Sequence, residues 1–264
     1  MGKIIAICNQ KGGTGKTTSA INLSTYIALA QKKVLLVDLD PQANATSGLG
    51  TDKHNIQKST YHVLLEELEI KEIIQKTVVN ELYLAPSNLD LTGAEIELVS
   101  VLGREYRLRK ALSREKDNFD FIIIDSPPSL GLLTINGLCA ADSVLIPVQC
   151  EYYALEGLTQ LINTIELVKE HLSPSLIIEG VLLTMADFRT NLAKEVIQEV
   201  RNYFKDKVYS TVIPRSIRLT EAPSFGKPVA LYDKESLGAQ KYEELCREIL
   251  GVPNLPKIVM EGVA

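Results

Sequence analysis

Gly12-Gly13-Thr14-Gly15-Lys16-Thr17-Thr18 follows a short apolar run and opens a helical one. Three closely spaced glycines let backbone N–H groups converge on phosphate oxygens, and a helix N-terminus adds a favourable dipole. In that frame Lys16 reaches toward the β- and γ-phosphates of a nucleotide, and Thr17 offers a hydroxyl to Mg²⁺. The loop departs from the ordinary GxxxxGK[ST] pattern: Gln10 stands where the first glycine belongs, and a second lysine, Lys11, precedes the glycines. A glycine-rich turn that binds nothing is the bland alternative. The order strand, loop, Lys-Thr-Thr, helix argues against it.

A nucleotide hydrolase needs two further carboxylates, and both stand at the ends of apolar runs. Asp125 closes Phe121-Ile122-Ile123-Ile124-Asp125, where it can hold magnesium through the hydration shell. Asp38 closes the second run. It reads equally as a carboxylate capping backbone N–H groups and as an indirect partner of the metal. Asp40 lies two residues further on, placed to orient or deprotonate a water attacking the γ-phosphate.

The elements that position these residues alternate. Short apolar runs at 3–9, 33–38, 82–85, 119–125, 143–148, 177–184 and 208–213 read as buried strands. Residues 17–30, 61–69, 89–99, 106–114, 192–204 and 237–250 carry helical spacing. So does the segment after 143–148, with Leu155, Leu158, Leu161, Ile162, Ile165 and Val168 on one face. In the last helix Leu237, Tyr242, Leu245, Cys246 and Ile249 are expected inward. Strands apolar on both faces and separated by helices imply an α/β fold with a mostly parallel central sheet covered on both sides. Ligands then bind beyond the carboxyl ends of the strands, where the loop and both acids lie. The expectation is a single P-loop domain over residues 1–250 and a short, loosely attached tail over 251–264, which contains Pro253 and Pro256.

The 264 residues suffice to bury a full core without staples. With 45% hydrophobic and 23% charged residues the chain is neither disordered nor fibrous. No apolar run reaches membrane-spanning length, and the N-terminus has no signal layout. Cys8, Cys139, Cys150 and Cys246 form no CxxC pair and read as buried thiols; His54, His62 and His171 lack metal-ligand spacing. The net charge of −5 repels polyanions overall. Residues 187–227, however, hold eight basic side chains against five acidic. A polyanion surface, if present, is local and late in the chain.

Lys-Gly-Gly-Thr-Gly-Lys-Thr-Thr from Lys11, Asp-Leu-Asp-Pro-Gln-Ala-Asn from Asp38, and Ile-Ile-Ile-Asp-Ser-Pro-Pro-Ser ending at Ser129 together resemble the deviant Walker A ATPases. The fit is nearest to the ParA/Soj group of chromosome and plasmid partitioning ATPases. It spans nearly the whole chain and includes the late segment from Pro214 to Pro228. Thr14 stands where valine is commoner, at a tolerant position. The resemblance implies ATP and Mg²⁺ as cofactors, with nucleotide contacts at Lys11, Gly12, Gly13, Thr14, Gly15, Lys16, Thr17, Thr18 and Pro214. It makes Lys11 the signature lysine that reaches the opposite subunit's nucleotide in an ATP-dependent homodimer. It gives Asp40 to hydrolysis, assigns Thr17 and (through water) Asp125 to the metal, and makes residues 125–128 a switch reporting the γ-phosphate. It further implies a ParB/Spo0J-like partner and nonspecific binding of double-stranded DNA by Arg189, Arg215 and Arg218. For Arg215, pairing with Glu221 or capping a carbonyl is an equal alternative.

Other proteins with this loop do different work. The cysteine patterns of nitrogenase iron protein and of iron–sulfur scaffold ATPases are absent, as is a terminal tyrosine cluster. The C-terminal stretch, with two prolines and no net charge, is a poor membrane anchor. The first strand begins at Lys3, so no DNA-reading extension of the plasmid type is expected ahead of it. A cytoplasmic, nucleoid-associated protein is therefore expected, with a MinD-type membrane-associated division-site ATPase as the alternative.

Overall fold

Burial along the central strands has no polar face to alternate with, because those strands are covered on both sides; the two-residue edge strand at Gln75–Lys76 is exposed throughout. In the computed structural model, which describes residues 2–151 and 156–255, Ile4 and Ala6 belong to one apolar cluster and Ile5 and Ile7 to the other. The same split runs through Leu35 and Val37 against Val34 and Leu36, and through Ile122 and Ile124 against Ile123. Continuous isoleucine, leucine and valine is what two covered faces require.

β1 (Lys3–Ile7) leads through the glycine loop into α1 (Lys16–Leu29), and β2 (Val34–Asp38) into α2 (Asn44–Gly48) and α3 (Thr60–Leu65). The two-residue β3 (Gln75–Lys76) and β4 (Leu82–Ala85) precede α4 (Leu91–Glu97) and α5 (Arg107–Ser113). β5 (Phe121–Asp125) with α6 (Leu132–Ala140), β6 (Ser143–Gln149) with α7 (Glu156–His171), and β7 (Ile177–Ala186) with α8 (Asn191–Phe204) continue the alternation. β8 (Val208–Pro214) is followed by the short α9 (Ile217–Glu221) and α10 (Val229–Tyr232) and by α11 (Leu237–Leu250).

The strands form one sheet in the order β3-β4-β2-β5-β1-β6-β7-β8, parallel except where β3 pairs with β4. Helices α3 to α8 pack on one face through residues such as Val63, Ala94, Leu112, Leu138, Leu161 and Val200. Helices α1 and α11 cover the other through Leu23, Ile27, Tyr242 and Leu245. A buried hydrogen bond between Ser19 Oγ and Tyr242 Oη (2.9 Å) ties these two helices together. α11 is bounded by Ser236, whose hydroxyl accepts from the Ala239 N–H, and by Gly251 in the left-handed region.

Some expected elements change. The helix foreseen over 61–69 stops at Leu65, and that over 89–99 breaks into α4 and a tight 3₁₀ turn. Leu237, expected inward, is 55% exposed: at the first position of α11 it lies off the face that Ala239, Tyr242, Leu245 and Cys246 turn into the core. The sequence order places Arg189, Arg215 and Arg218 in loops beyond strand ends; of these Arg218 instead lies on α9. Leu155 and residues 256–264 lie outside the described residues. All four cysteines are free and buried. Among the described residues no helix is long and apolar enough to cross a membrane.

Candidate functional site

β5 sets Asp125 beside Ile7 of β1 on one side and beside Asp38 of β2 on the other. The glycine loop leaving β1 and the two strand-end carboxylates therefore meet at the carboxyl edge of the sheet.

Asn9 anchors the start of the loop. Its Nδ2 donates to the Pro147 carbonyl of β6 (2.6 Å), and its Oδ1 accepts from the Lys11 N–H (3.0 Å). Gly13 and Gly15 adopt φ of +73° and +86°, conformations that only glycine holds cheaply. A side chain at Gly12 or Gly13 would meet no protein atom within 4 Å, so the loop presents bare backbone to open space. From the far side Thr184 of β7 donates its hydroxyl to the Thr14 carbonyl (2.8 Å).

Lys16 is buried at the head of α1, and its Nζ donates to the Lys11 carbonyl (3.1 Å). Burial lowers its pKa, while the carboxylates of Asp125 and Asp40 pull it back up. Asp125 is fully buried, and neither carboxylate oxygen has a hydrogen-bond partner. Burial, with Asp38 next to it, pushes its pKa well above the carboxylate range; the Thr17 hydroxyl pulls the other way without a hydrogen bond of ordinary geometry. A native buried carboxylate without partners calls for an explanation. This one, facing Lys16 and Thr17, fits a hydrated cation. Among the described residues no group of three or more His, Cys, Asp or Glu side chains is arranged around a metal. A metal here relies on Asp125, the Thr17 hydroxyl, and water or phosphate oxygens.

Asp38 is also fully buried, and burial pushes its pKa up to about 6 despite its hydrogen bonds. It accepts from the Thr46 hydroxyl (2.7 Å), the Thr46 N–H (2.9 Å) and the Asp40 N–H (3.0 Å). Of its two readings the geometry shows the cap: Asp38 is the post around which residues 38–46 are wound. Asp40 is held by that winding. Its Oδ1 accepts from the Gln42 N–H (2.9 Å), and its carbonyl accepts from the Ser87 hydroxyl (2.8 Å). Its charge reaches both Lys16 and Asp125.

Lys11 stands apart from this group. Its Nζ lies 3.9 Å from Glu151 Oε2, outside the cradle. Beside the loop opens a cavity of about 490 Å³, walled by Gly15, Thr18, Ile21, Pro214 and Leu219 among others. That is the size range of a small-molecule site. It puts Pro214, 200 residues downstream, within reach of whatever the loop holds.

The three late arginines gather where β7 and β8 end. Ala186 and Pro214 are register partners, and the Arg215 N–H donates to the Ala186 carbonyl (3.1 Å). Arg189 forks onto Asp187 through Nε (2.8 Å) and Nη2 (2.7 Å). Arg215 does not pair with Glu221; its Nη2 reaches Glu151 Oε1 (3.2 Å) instead. Glu221 is taken by Arg218 (2.9 Å), which also meets Asp233 (3.0 Å). Helix α9 is the reason: Arg218 and Glu221 lie on one face, three residues apart. Reading the sequence missed Thr184 and Glu151, whose sites are made only when β6 and β7 pack beside β1.

A phosphate-cradling loop at the carboxyl edge of a doubly covered parallel sheet defines the class: P-loop nucleotide-binding proteins. A family profile described as an AAA domain matches residues 2–178. The sporulation initiation inhibitor protein Soj of Bacillus subtilis is 59% identical over 94% of this chain and 98% of its own length. The chromosome partitioning protein ParA of Myxococcus xanthus is 56% identical over 95% and 88%. The chain belongs to the ParA/Soj family of chromosome-partitioning proteins. Among solved structures, cobyrinic acid a,c-diamide synthase of Mycobacterium smegmatis, bound to an ATP analogue and magnesium, is 37% identical. It superposes with a TM-score of 0.84 over 95% of both chains. The septum site-determining protein MinD of Pyrococcus horikoshii with Mg-ADP is more distant, at 27% identity and a TM-score of 0.77 over 94% of this chain and 96% of that one.

Proposed function

We propose that this chain is an ATP hydrolase of chromosome or plasmid segregation, cycling between an ATP-bound homodimer held on nonspecific DNA and a released monomer. The observation that carries this reading is Asp125, buried without partners beside Lys16 and Thr17 under a loop of bare backbone. Family membership supports the segregation role, and the relatives solved with nucleotide and magnesium support those cofactors.

Gly12 to Thr18 bind the phosphates through backbone N–H groups, and Lys16 turns from the Lys11 carbonyl to the β- and γ-oxygens. Pro214 walls the base and ribose. Thr17 and, through water, Asp125 would hold Mg²⁺, which would supply charge neutralisation to the phosphates. Asp40, fixed by the Asp38 post, orients the attacking water and takes its proton. Lys11 leaves Glu151 to meet the nucleotide of the partner subunit, so that two chains close on two nucleotides. The stiff Asp125-Ser126-Pro127-Pro128 stretch passes the state of the γ-phosphate to the surface. Arg189, Arg215 and Arg218 of both subunits then contact DNA phosphates. A ParB-like partner stimulates hydrolysis and release. The protein works in the cytoplasm on the nucleoid.

Likeness to MinD makes a lipid surface the rival target. Cosedimentation with ATP and Mg²⁺, offering plasmid DNA and anionic liposomes separately, tests the choice. ATP-dependent pelleting with DNA alone is expected. Pelleting with liposomes and not with DNA overturns the reading.

A further inference from the structure

Each arginine assigned to DNA is already engaged by a carboxylate. Arg189 presents its fork to Asp187 in the two-bond geometry that guanidinium also offers a phosphate. Its side chain is 89% exposed. The Arg189 bonds, with the Arg215 charge nearby, hold the Asp187 carboxyl down at about 2. Arg218 lies between Glu221 and Asp233. Arg215 meets Glu151, which also accepts from Gln149 Nε2 (2.6 Å) and stands 3.9 Å from Lys11. Two of these acids, Glu151 and Asp233, come from outside the basic stretch 187–227. Counting them, its eight cations face seven anions.

We infer that Asp187, Glu151, Glu221 and Asp233 act as internal stand-ins for DNA phosphate, masking the three arginines and holding the DNA affinity of the nucleotide-free monomer low. The inference rests on the DNA-binding reading above and goes beyond it by naming an autoinhibitory set of acids. Exposed pairs of this kind are individually weak, so DNA phosphates can displace them. A monomer must break them for three arginine contacts. A dimer presents six on one rigid body, and the second subunit's contacts form intramolecularly. Masking lowers both affinities, through three masked arginines in the monomer and six in the dimer, but the bivalent dimer starts from a far higher affinity. At a fixed protein concentration masking therefore empties the monomer from DNA while the dimer stays bound, which sharpens the dependence of DNA occupancy on ATP. Glu151 adds a physical link, since the same carboxylate faces the nucleotide loop through Lys11.

The test is fluorescence anisotropy with a labelled random-sequence duplex over a salt series, with and without ATP. It compares the full-length wild type with Asp187→Asn, Glu151→Gln, Asp233→Asn and the triple variant. Each amide keeps one acceptor oxygen. The Asp187 Oδ1 that takes the Arg189 backbone N–H and shapes the turn, and the Glu151 Oε1 that takes Arg215, are retained, while the Asp187 oxygen that takes Arg189 Nη2 gives way to an NH2 group. Without nucleotide the triple variant is expected to bind about tenfold more tightly at low salt. Its log affinity should fall more steeply with log salt, by up to about one unit per arginine released. Asp187→Asn alone, in an exposed turn that does not depend on the others folding, should gain about two- to fivefold. Adding Arg189→Ala, Arg215→Ala and Arg218→Ala should abolish the gain. Unchanged nucleotide-free binding overturns the inference; so does a gain that survives loss of the arginines, which marks a general charge effect. If wild type with ATP holds DNA while the variants gain nothing, only this inference falls. If it holds no DNA with ATP, the functional reading falls as well.

Discussion

Lys16 and Lys11 differ in what surrounds them, and that difference predicts different failures. Lys16 is buried among Asp125, Asp40 and a loop carbonyl, where water cannot replace its charge. Lys16→Ala should abolish ATP binding, and isothermal titration that found wild-type affinity would remove the phosphate assignment. Lys11 points out of the cradle toward Glu151. Lys11→Ala should keep some ATP binding and lose ATP-driven dimerisation, as its proposed reach to the partner subunit's nucleotide requires. Asp40→Ala should show the reverse pattern: ATP is bound, the dimer forms and persists on DNA, and hydrolysis drops by roughly a hundredfold or more, the ordinary weight of a positioned base. Size-exclusion chromatography with ATP separates the two. A monomeric Asp40→Ala protein, or a Lys11→Ala protein that dimerises normally, contradicts the division of labour.

At the scale of elements, the phosphate loop is only as rigid as the strands that brace it. β6 holds it through Asn9 and the Pro147 carbonyl, and β7 through Thr184 and the Thr14 carbonyl. Thr184→Val keeps the shape and removes the donor, leaving a buried carbonyl short of one bond at a cost of about 1–3 kcal/mol. Part of that cost should appear as weaker ATP binding, several-fold by titration, with a matching loss of stability in urea. Unchanged nucleotide affinity would show that β7 does not brace the loop. This bracing also marks the limit of what the chain discloses before it folds. The loop, Asp38, Asp40 and Asp125 were legible because each lies within a few residues of the strand end that positions it. Thr184 and Glu151 were not, since only the β1-β6-β7 order brings them to the loop. Seven of the strands were legible as apolar runs; β3 was not, being two exposed polar residues, Gln75 and Lys76, that pair antiparallel with β4. Around Cys139 the sequence reads as an apolar helix, but the bounds of α6 were not legible, because it is buried nearly all round from Leu133 through Ala140 and so lacks a 3.6-residue stripe. Helices α2, α9 and α10, of four or five residues, are too short to show a period.

Over the whole molecule, charge is where linear reading and folded arrangement part. Residues 187–227 carry more cations than anions, yet folding delivers Glu151 and Asp233 to the same edge. The surplus that suggested a DNA surface is thus largely compensated within the monomer, and the DNA binding we propose would exchange carboxylate partners for phosphates across a dimer. That exchange decides how the arginines are best tested. Reversing the charge at Arg218 would set a third carboxylate beside Glu221 and Asp233, and α9 could be lost for reasons unrelated to DNA. Arg218→Ala removes the cation alone. In the ATP-bound dimer it takes away two phosphate contacts, one per subunit. DNA affinity should fall equally for all sequences, and the slope of log affinity against log salt should flatten by about two units. Arg189→Ala should do the same, because among the described residues its side chain pairs with Asp187 in an exposed turn. ATP binding and dimerisation should be unaffected, since neither side chain enters the cradle around Lys16. If dimers carrying both substitutions held plasmid DNA as wild type does at moderate salt, the carboxyl edge of β7 and β8 would not be the DNA surface.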